Sequence, residues 1–382
     1  MQDNKLFLSD GQLLITCFSK LKDPRVLGRV DYPLIEIIII SICAIICGAN
    51  HWKAIADFGK AKEDWLKTFL ELENGIPSAQ TFGRVFSLIC PKKLLDCFKE
   101  WCKKTTGLPE ESIIAIDGKT VRKSGCKSIG FKPLHLINAY AIEQKILLSS
   151  SKTPDKTNEI KAIPVILKDL PLEKNIVTMD AMGTQKGIIN LIRLQKAHYC
   201  VALKKNHKRF YKKVNNLFHK AESLAFNAMV FKRLETFDYD HSRIEERTYC
   251  FLPIMYLFQF KSQWKDLETL IQVRRIRYLS NGGKEESIHY YISSLPLKKS
   301  ELITKAIRGH WAVENGLHYK LDVGLNEDNC RIFHPHAAEN FSTLRKLVLA
   351  CLERDKSSEE GILLKRWKAA LNENYLRYVI GF

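Results

Sequence analysis

Two aspartates offer the clearest chemistry in this chain. Asp117 closes the apolar run SIIAIDG and Asp180 closes NIVTMDA, each at the C-terminal end of an expected buried strand, where open sheets leave a ligand crevice. Two carboxylates on neighbouring strands repel unless a cation lies between them, and hard oxygen ligands in that position suit Mg2+ retaining several waters. A two-metal site needs a third acid. Glu314, in HWAVENGLH, is the best candidate because it lies on a helical stretch beside basic and aromatic residues. Two cations roughly 4 Å apart would activate a water or a 3′-hydroxyl and stabilise the leaving oxygen of an in-line displacement at phosphorus. The implied reaction is phosphodiester cleavage and transfer. Singly, each acid has a plainer reading: Asp-Gly is a common turn, Asp180 could cap the next helix, and Glu314 could be a solvated helical charge. Together they are more specific, because the elements carrying them must converge for one core to form.

Basic residues surround these acids. Residues 191–220 contain Arg193, Lys196, Lys204, Lys205, Lys208, Arg209, Lys212, Lys213 and Lys220 and no acid. On a helix from about residue 206, Lys205, Lys208 or Arg209, and Lys212 form a stripe, while Phe210, Val214 and Leu217 face the core. A phosphate backbone fits such a stripe, as does plain solvation. Lys119, Arg122 and Lys123 follow Asp117 in DGKTVRKSG and could neutralise phosphates of the scissile strand or simply keep a loop soluble. Trp311 suits core packing or stacking on an extruded base. His310, Glu314 and His318 share a helical face, but HxxxExxxH lacks the adjacent Glu of HExxH, so zinc is not expected.

The elements that must position these residues follow from periodicity. Residues 1–105 read as a small all-α domain: a buried helix around IEIIIISICAIICGAN, then HWKAIADFGKAKEDWLKTFLE, SAQTFGRVFSLIC with Ser78 or Thr81 as cap, and PKKLLDCFKEWCKK opened by Pro91. Such a domain suits DNA binding, packing or dimerisation equally. TTGLP (105–109) reads as a linker. Residues 106–382 read as an α/β domain in the order β-β-β-α-β-α-β-α, a mixed sheet covered on both faces with the strand order of a ribonuclease H-like core. Pro164 kinks or opens the first helix after the three strands. A β-rich insertion at about 222–297, with a turn at NGG, interrupts that domain. Helical periodicity resumes at SELITKAIRGHWAVENGLHYKLDV and HAAENFSTLRKLVLACLERD, where Phe341, Leu344, Val348, Cys351 and Leu352 make an apolar face.

Composition sets outer limits. At 382 residues the chain exceeds one compact core, and 46% apolar residues with 19 Gly and 12 Pro exclude disordered and collagenous classes. The net charge of +18 points to a polyanion, nucleic acid before membrane. About +3 of it lies in residues 1–105 and roughly +15 beyond, so the grip is mainly C-terminal. Eleven scattered cysteines without a CxxC pair imply neither a disulfide frame nor zinc, and MQDNKLFLSD lacks the basic start of a signal peptide. A reducing cytoplasm is expected. The apolar run Ile37–Ala49 is shorter than the ~20 residues a bilayer requires, so no membrane is expected.

The chain resembles the DDE transposases of bacterial insertion sequences, in the H repeat-associated branch (the As-one insertion-sequence family) of the IS-four-like group. The likeness runs through DPRVLGRVDYPLIEI, GANHWKAIADFG, NGIPSAQTFGRVFS, IIAIDGKTVRKS, KTNEIKAIPVIL, IVTMDAMGTQ, HWAVENGLHYKLDVGLNEDNCRI and AAENFSTLRK. It implies that Asp117, Asp180 and Glu314 bind Mg2+, or Mn2+ in its place, for cleavage at element ends and strand transfer into target DNA. It also implies that residues 1–105 are a transposase-associated domain and that double-stranded DNA, comprising terminal repeats and target, is the partner of a nucleoid-associated protein, acting as a homodimer that pairs two ends. The wider group often has Arg four residues before its Glu and Lys seven after; His310 and Leu321 stand there, with Arg308 and Lys320 nearby as substitutes. The insertion reads HSRIEER, where similar proteins often have Gly at the Ser242 position. A DNA-binding remnant without catalysis and a general nuclease of the same fold are the alternatives.

Overall fold

A computed structural model describes residues 9–382 except 27, 29, 127, 129, 154–158, 228, 241, 242, 280 and 281. The Ser242 position, Asn281 of the NGG turn, Asn158 of the NEIKAIP stretch and most of the N-terminal polar run lie outside the described residues. The N-terminal third is helical among the described residues: α1 (Asp10–Phe18), α2 (Leu34–Ile46), α3 (Trp52–Ala61), α4 (Glu63–Leu66), α5 (Ala79–Leu88) and α6 (Pro91–Thr105). Local signals set several ends. Ser9 and Gln12 form a reciprocal capping box on α1, Ser78 accepts the Thr81 N–H to cap α5, and Pro91 opens α6. The Ile-rich α2 is a poor intrinsic helix former, and burial of all but one of its residues stabilises it instead. No helix among the described residues is long and apolar enough to cross a membrane.

Strands follow, opening on short apolar runs. β1 (Ile113–Val121), β2 (Leu134–Ala141) and β3 (Ile146–Thr153) form an antiparallel meander, followed by α7 (Glu159–Lys168, with Pro164 inside), β4 (Ile176–Met179), α8 (Lys186–Leu194), β5 (His198–Leu203) and α9 (Lys208–Ser223). β1 pairs β4 and β4 pairs β5, both parallel. The segment expected as an insertion forms β6 (Lys232–Asp240), β7 (Arg243–Pro253), β8 (Thr269–Tyr278) and β9 (Lys284–Ser293). It interrupts the chain but not the sheet. β9 pairs β5 antiparallel, giving one mixed nine-stranded sheet in the order β3-β2-β1-β4-β5-β9-β8-β7-β6.

The chain ends in α10 (Ser300–Ala312), a π-helical stretch over Val313–His318 and another over Lys320–Gly324, then α11 (Pro335–Arg354), α12 (Ile362–Leu371) and α13 (Glu373–Ile380). The expectation of one apolar face on α11 falls short. Ser342, Thr343, Arg345 and Lys346 are buried along with the apolar residues, because helices of the N-terminal third cover one side of α11 while β2, β3 and the π-helical stretch cover others. One hydrophobic core therefore runs from α1–α6 through α11–α13 to the near face of β1–β3. Arg366 of α12 fastens this junction, donating to the carbonyls of Ile45 and Ile46 at the end of α2 and to that of Gly324.

Candidate active site

Register alone sets Asp117 beside Asp180. Ile116 of β1 faces Met179 of the parallel β4, so the next residue on each is an acid, separated by the spacing of neighbouring strands. Asp180 follows the last residue of β4, as its sequence suggests. Asp117 does not end its strand, since β1 continues to Val121 in pairing with β2. Past Met179 no strand covers that edge of β1, leaving a notch at Asp117 and Gly118. One oxygen of Asp180 accepts the backbone N–H of Met182 at 2.9 Å and of Gly183 at 3.3 Å, which fixes the carboxylate as a turn cap does.

Glu314 lies on the π-helical stretch that continues α10; α10 packs across β1, β4 and β5, and the stretch itself packs against β1. The helix does not continue in α geometry as its periodicity suggests. It widens at Val313, and Tyr319 donates its N–H to the Glu314 carbonyl five residues back. Val313 and Leu317 are buried, while Glu314 stays exposed. Asp117 feels its neighbours: burial, together with the charges of Glu314, Asp180 and Glu159, pushes it up to about 7 against the counteracting Gly118 N–H. Among the described residues no three His, Cys, Asp or Glu side chains already cluster as a metal cage. As hard oxygen donors, neighbouring carboxylates fit a divalent cation, which would offset their mutual repulsion.

Two histidines flank the acids. His318 Nδ1 lies 3.6 Å from Asp117 Oδ2, and burial with the charges of Lys119, Lys346 and His310 pushes the ring down to about 3. Burial also pushes His310 down to about 4, with Asp180 opposing and Lys204 reinforcing the shift. Both rings are therefore neutral. His310 Nδ1 and His318 Nε2 are buried without a hydrogen-bond partner among the described residues.

The basic residues divide into two groups. Lys204, Lys205, Lys208, Arg209, Lys212 and Lys213 are exposed, and none pairs with a carboxylate among the described residues. The buried side of α9 is Phe210, Val214, Phe218 and Ala221; Leu217 is half-buried and packs against the same core. The second group is already engaged. Lys119 is buried, 2.5 Å from Asp322, 3.6 Å from Asp328 and 3.9 Å from Glu327. Arg122 pairs with Asp328, Lys123 donates to Asn329, Arg308 grips Asp238 with both terminal nitrogens, and Lys320 pairs with Glu353. Trp311 is 48% exposed, on the solvent side of α10 rather than in the core.

Sequence reasoning missed four contributors near the acids. Asn138 lies opposite Asp117 on β2 and accepts from the buried Lys346 of α11, whose ammonium burial pushes down to about 8. Glu159, at the start of α7, is buried against His135 of β2. A polar residue inside an otherwise apolar strand or helix, as at Asn138, His135 and Lys346, was the available signal.

Comparison with known proteins gives a consistent result. Residues 108–351 match the family described as Transposase DDE domain, and residues 15–102 match one described as DDE_Tnp_1-associated. The chain is 37% identical to the Escherichia coli (strain K12) protein named "H repeat-associated putative transposase YhhI" over 96% of this chain and 97% of that one. It is 37% identical to "Putative transposase YncI" of Escherichia coli O157:H7 over 97% of this chain and 94% of that protein. A shorter likeness, 43% over 17% of this chain and 77% of the relative, is to "Inactive transposase YbfQ" of strain K12.

Proposed function

Because this chain belongs to the transposase DDE-domain family, we propose that it is an active DNA transposase that cleaves phosphodiesters at insertion-sequence ends and transfers the freed strand to target DNA. The observation that carries this reading is the juxtaposition of Asp117 and Asp180 by register, with Glu314 near enough to act on Asp117. We further read β1–β5 with their helices as a ribonuclease H-like core within residues 106–382, and residues 1–105 as the associated domain of a cytoplasmic, nucleoid-associated protein working as a homodimer on paired ends.

Asp117, Asp180 and Glu314 would hold Mg2+, or Mn2+ in its place. The bound cations supply charge neutralisation at phosphorus and a more acidic attacking water or 3′-hydroxyl. The rest falls to the chain. Met182 and Gly183 hold the Asp180 carboxylate in one orientation, and His318, neutral and adjacent, keeps the second charge of a buried pair away from Asp117. The exposed stripe on α9 supplies sequence-independent grip on the phosphate backbone.

The complete set of acids favours activity over the remnant that an inactive relative brings to mind. Asp117→Asn, Asp180→Asn and Glu314→Gln are each expected to abolish nicking of terminal-repeat DNA in Mg2+ while leaving DNA binding intact. Undiminished nicking by any one removes that acid from the site, and binding without cleavage by the unaltered protein, in Mg2+ or Mn2+, favours the remnant.

A further inference from the structure

Glu159 stands where the three acids do not account for it. It opens α7, on the face of the sheet opposite to Asp117, since Gly118 and Asp117 alternate along β1. Its carboxylate lies directly over Gly118, where an added Cβ would collide with Glu159 Oε1. Only glycine lets the two approach. The same oxygen is held in place, because His135 Nε2 lies 2.7 Å from Oε1 and His135 Nδ1 lies 2.8 Å from Thr120 Oγ1. Thr120, His135 and Glu159 thus form a short, largely buried chain of hydrogen bonds whose carboxylate end lies over the residue after Asp117.

Topology brings the two faces together here. β4 stops at Met179, opposite Ile116, so beside Asp117 and Gly118 the sheet is open on that edge. Asp117 stands on one face of this notch and Glu159 lies over Gly118 on the other, near enough for its charge to act on Asp117. A mere staple between α7 and β2 would be satisfied anywhere along those elements and would not need a glycine beneath it. Burying a fourth negative group beside three others is unfavourable unless positive charge arrives with the ligand.

We propose that Glu159, aligned by His135 and Thr120, is a positioning residue of the acid site that helps to hold the hydrated divalent cation bound at Asp117. This rests on the transposase reading above and deepens it. The test is Mn2+ affinity of the full-length protein without DNA, measured from the loss of the free-ion electron paramagnetic resonance signal, with thermal melting run in parallel. Glu159→Gln keeps the shape and an oxygen to accept from His135, so a staple would survive it. The expected result is Mn2+ binding weakened at least five-fold with a melting temperature close to that of the unaltered protein. Wild-type Mn2+ affinity in Glu159→Gln, with binding lost in Asp117→Asn, overturns the inference and leaves the DDE reading standing. Wild-type affinity in Asp117→Asn as well, or no Mn2+ binding by the unaltered protein, overturns both. Should Glu159→Gln fail to melt cooperatively, Glu159→Asp keeps the charge but withdraws it by one methylene; at least three-fold weaker binding supports the inference, and unchanged affinity overturns it.

Discussion

Replacing Asp117 by Asn should stabilise the cation-free protein while destroying its activity. Asp117 rises from the ordinary 3.8 to about 7 in the folded chain, with burial as the main cause and Glu314 and Asp180 adding to it. Between those two pH values the native protein keeps a proton that the unfolded chain has released. Stability therefore falls as pH rises through this window and is level above it. A shift of about three units corresponds to an upper bound of about 4 kcal/mol. The side chain is 24% exposed, so water and local relaxation should reduce this to roughly 1–3 kcal/mol. Asn carries no charge to desolvate, so in EDTA at pH 8 Asp117→Asn should melt a few degrees above the unaltered protein, with the gap closing as pH is lowered towards 5. Added Mg2+ should raise the melting temperature of the unaltered protein but not of the variant. A variant melting at or below the unaltered protein in EDTA at pH 8 would refute the electrostatic account of this site.

Three further outcomes follow from particular side chains. Gly118→Ala drives a Cβ into a carboxylate that His135 holds in place, and should cost about 1–3 kcal/mol in urea unfolding; unchanged stability would show that Glu159 swings freely. Removing Lys208, Arg209, Lys212 and Lys213 together by alanine should flatten the slope of log Kd against log salt by about 0.9 for each phosphate no longer neutralised, whereas an undiminished slope would take α9 out of the DNA interface. Arg366→Leu strips the donors from the carbonyls of Ile45, Ile46 and Gly324 and should lower unfolding free energy by about 3 kcal/mol, read from the denaturation midpoint; a loss within error would mean that water replaces the guanidinium there.

The strands were legible because Ile113–Ile116 is a continuous apolar run and Ile176–Met179 is one broken only by Thr178, each followed by an acid, and a parallel sheet buried on both faces demands such runs. Pairing was not. Nothing in KRLETFDYD or SIHYYIS says that the inserted strands join the same sheet through β5 and β9, because alternation along a strand leaves its neighbour undefined. The widened turn at Val313 is equally silent, since apolar residues spaced for an α-helix also suit a single π turn. Burial all round α11 leaves no mark in the sequence, because Arg and Lys usually face water, although Arg345 and Lys346 each find partners inside. The short helices α1, α12 and α13 carry too few turns for periodicity to stand out. Charge type alone could not separate the free cations of α9 from Lys119 and Arg308, whose carboxylate partners lie 203 and 70 residues away.

The shared interior of α1–α6 and α11–α13 bears on how such a gene decays. A chain cut near residue 107 would leave each fragment with a broad greasy flank that its missing half once covered, and α2 would have little of its own to keep it wound. Truncated copies of this kind should be cleared by cellular proteases rather than accumulate. Loss of a few dozen codons from either terminus would then silence the protein as thoroughly as loss of an acid.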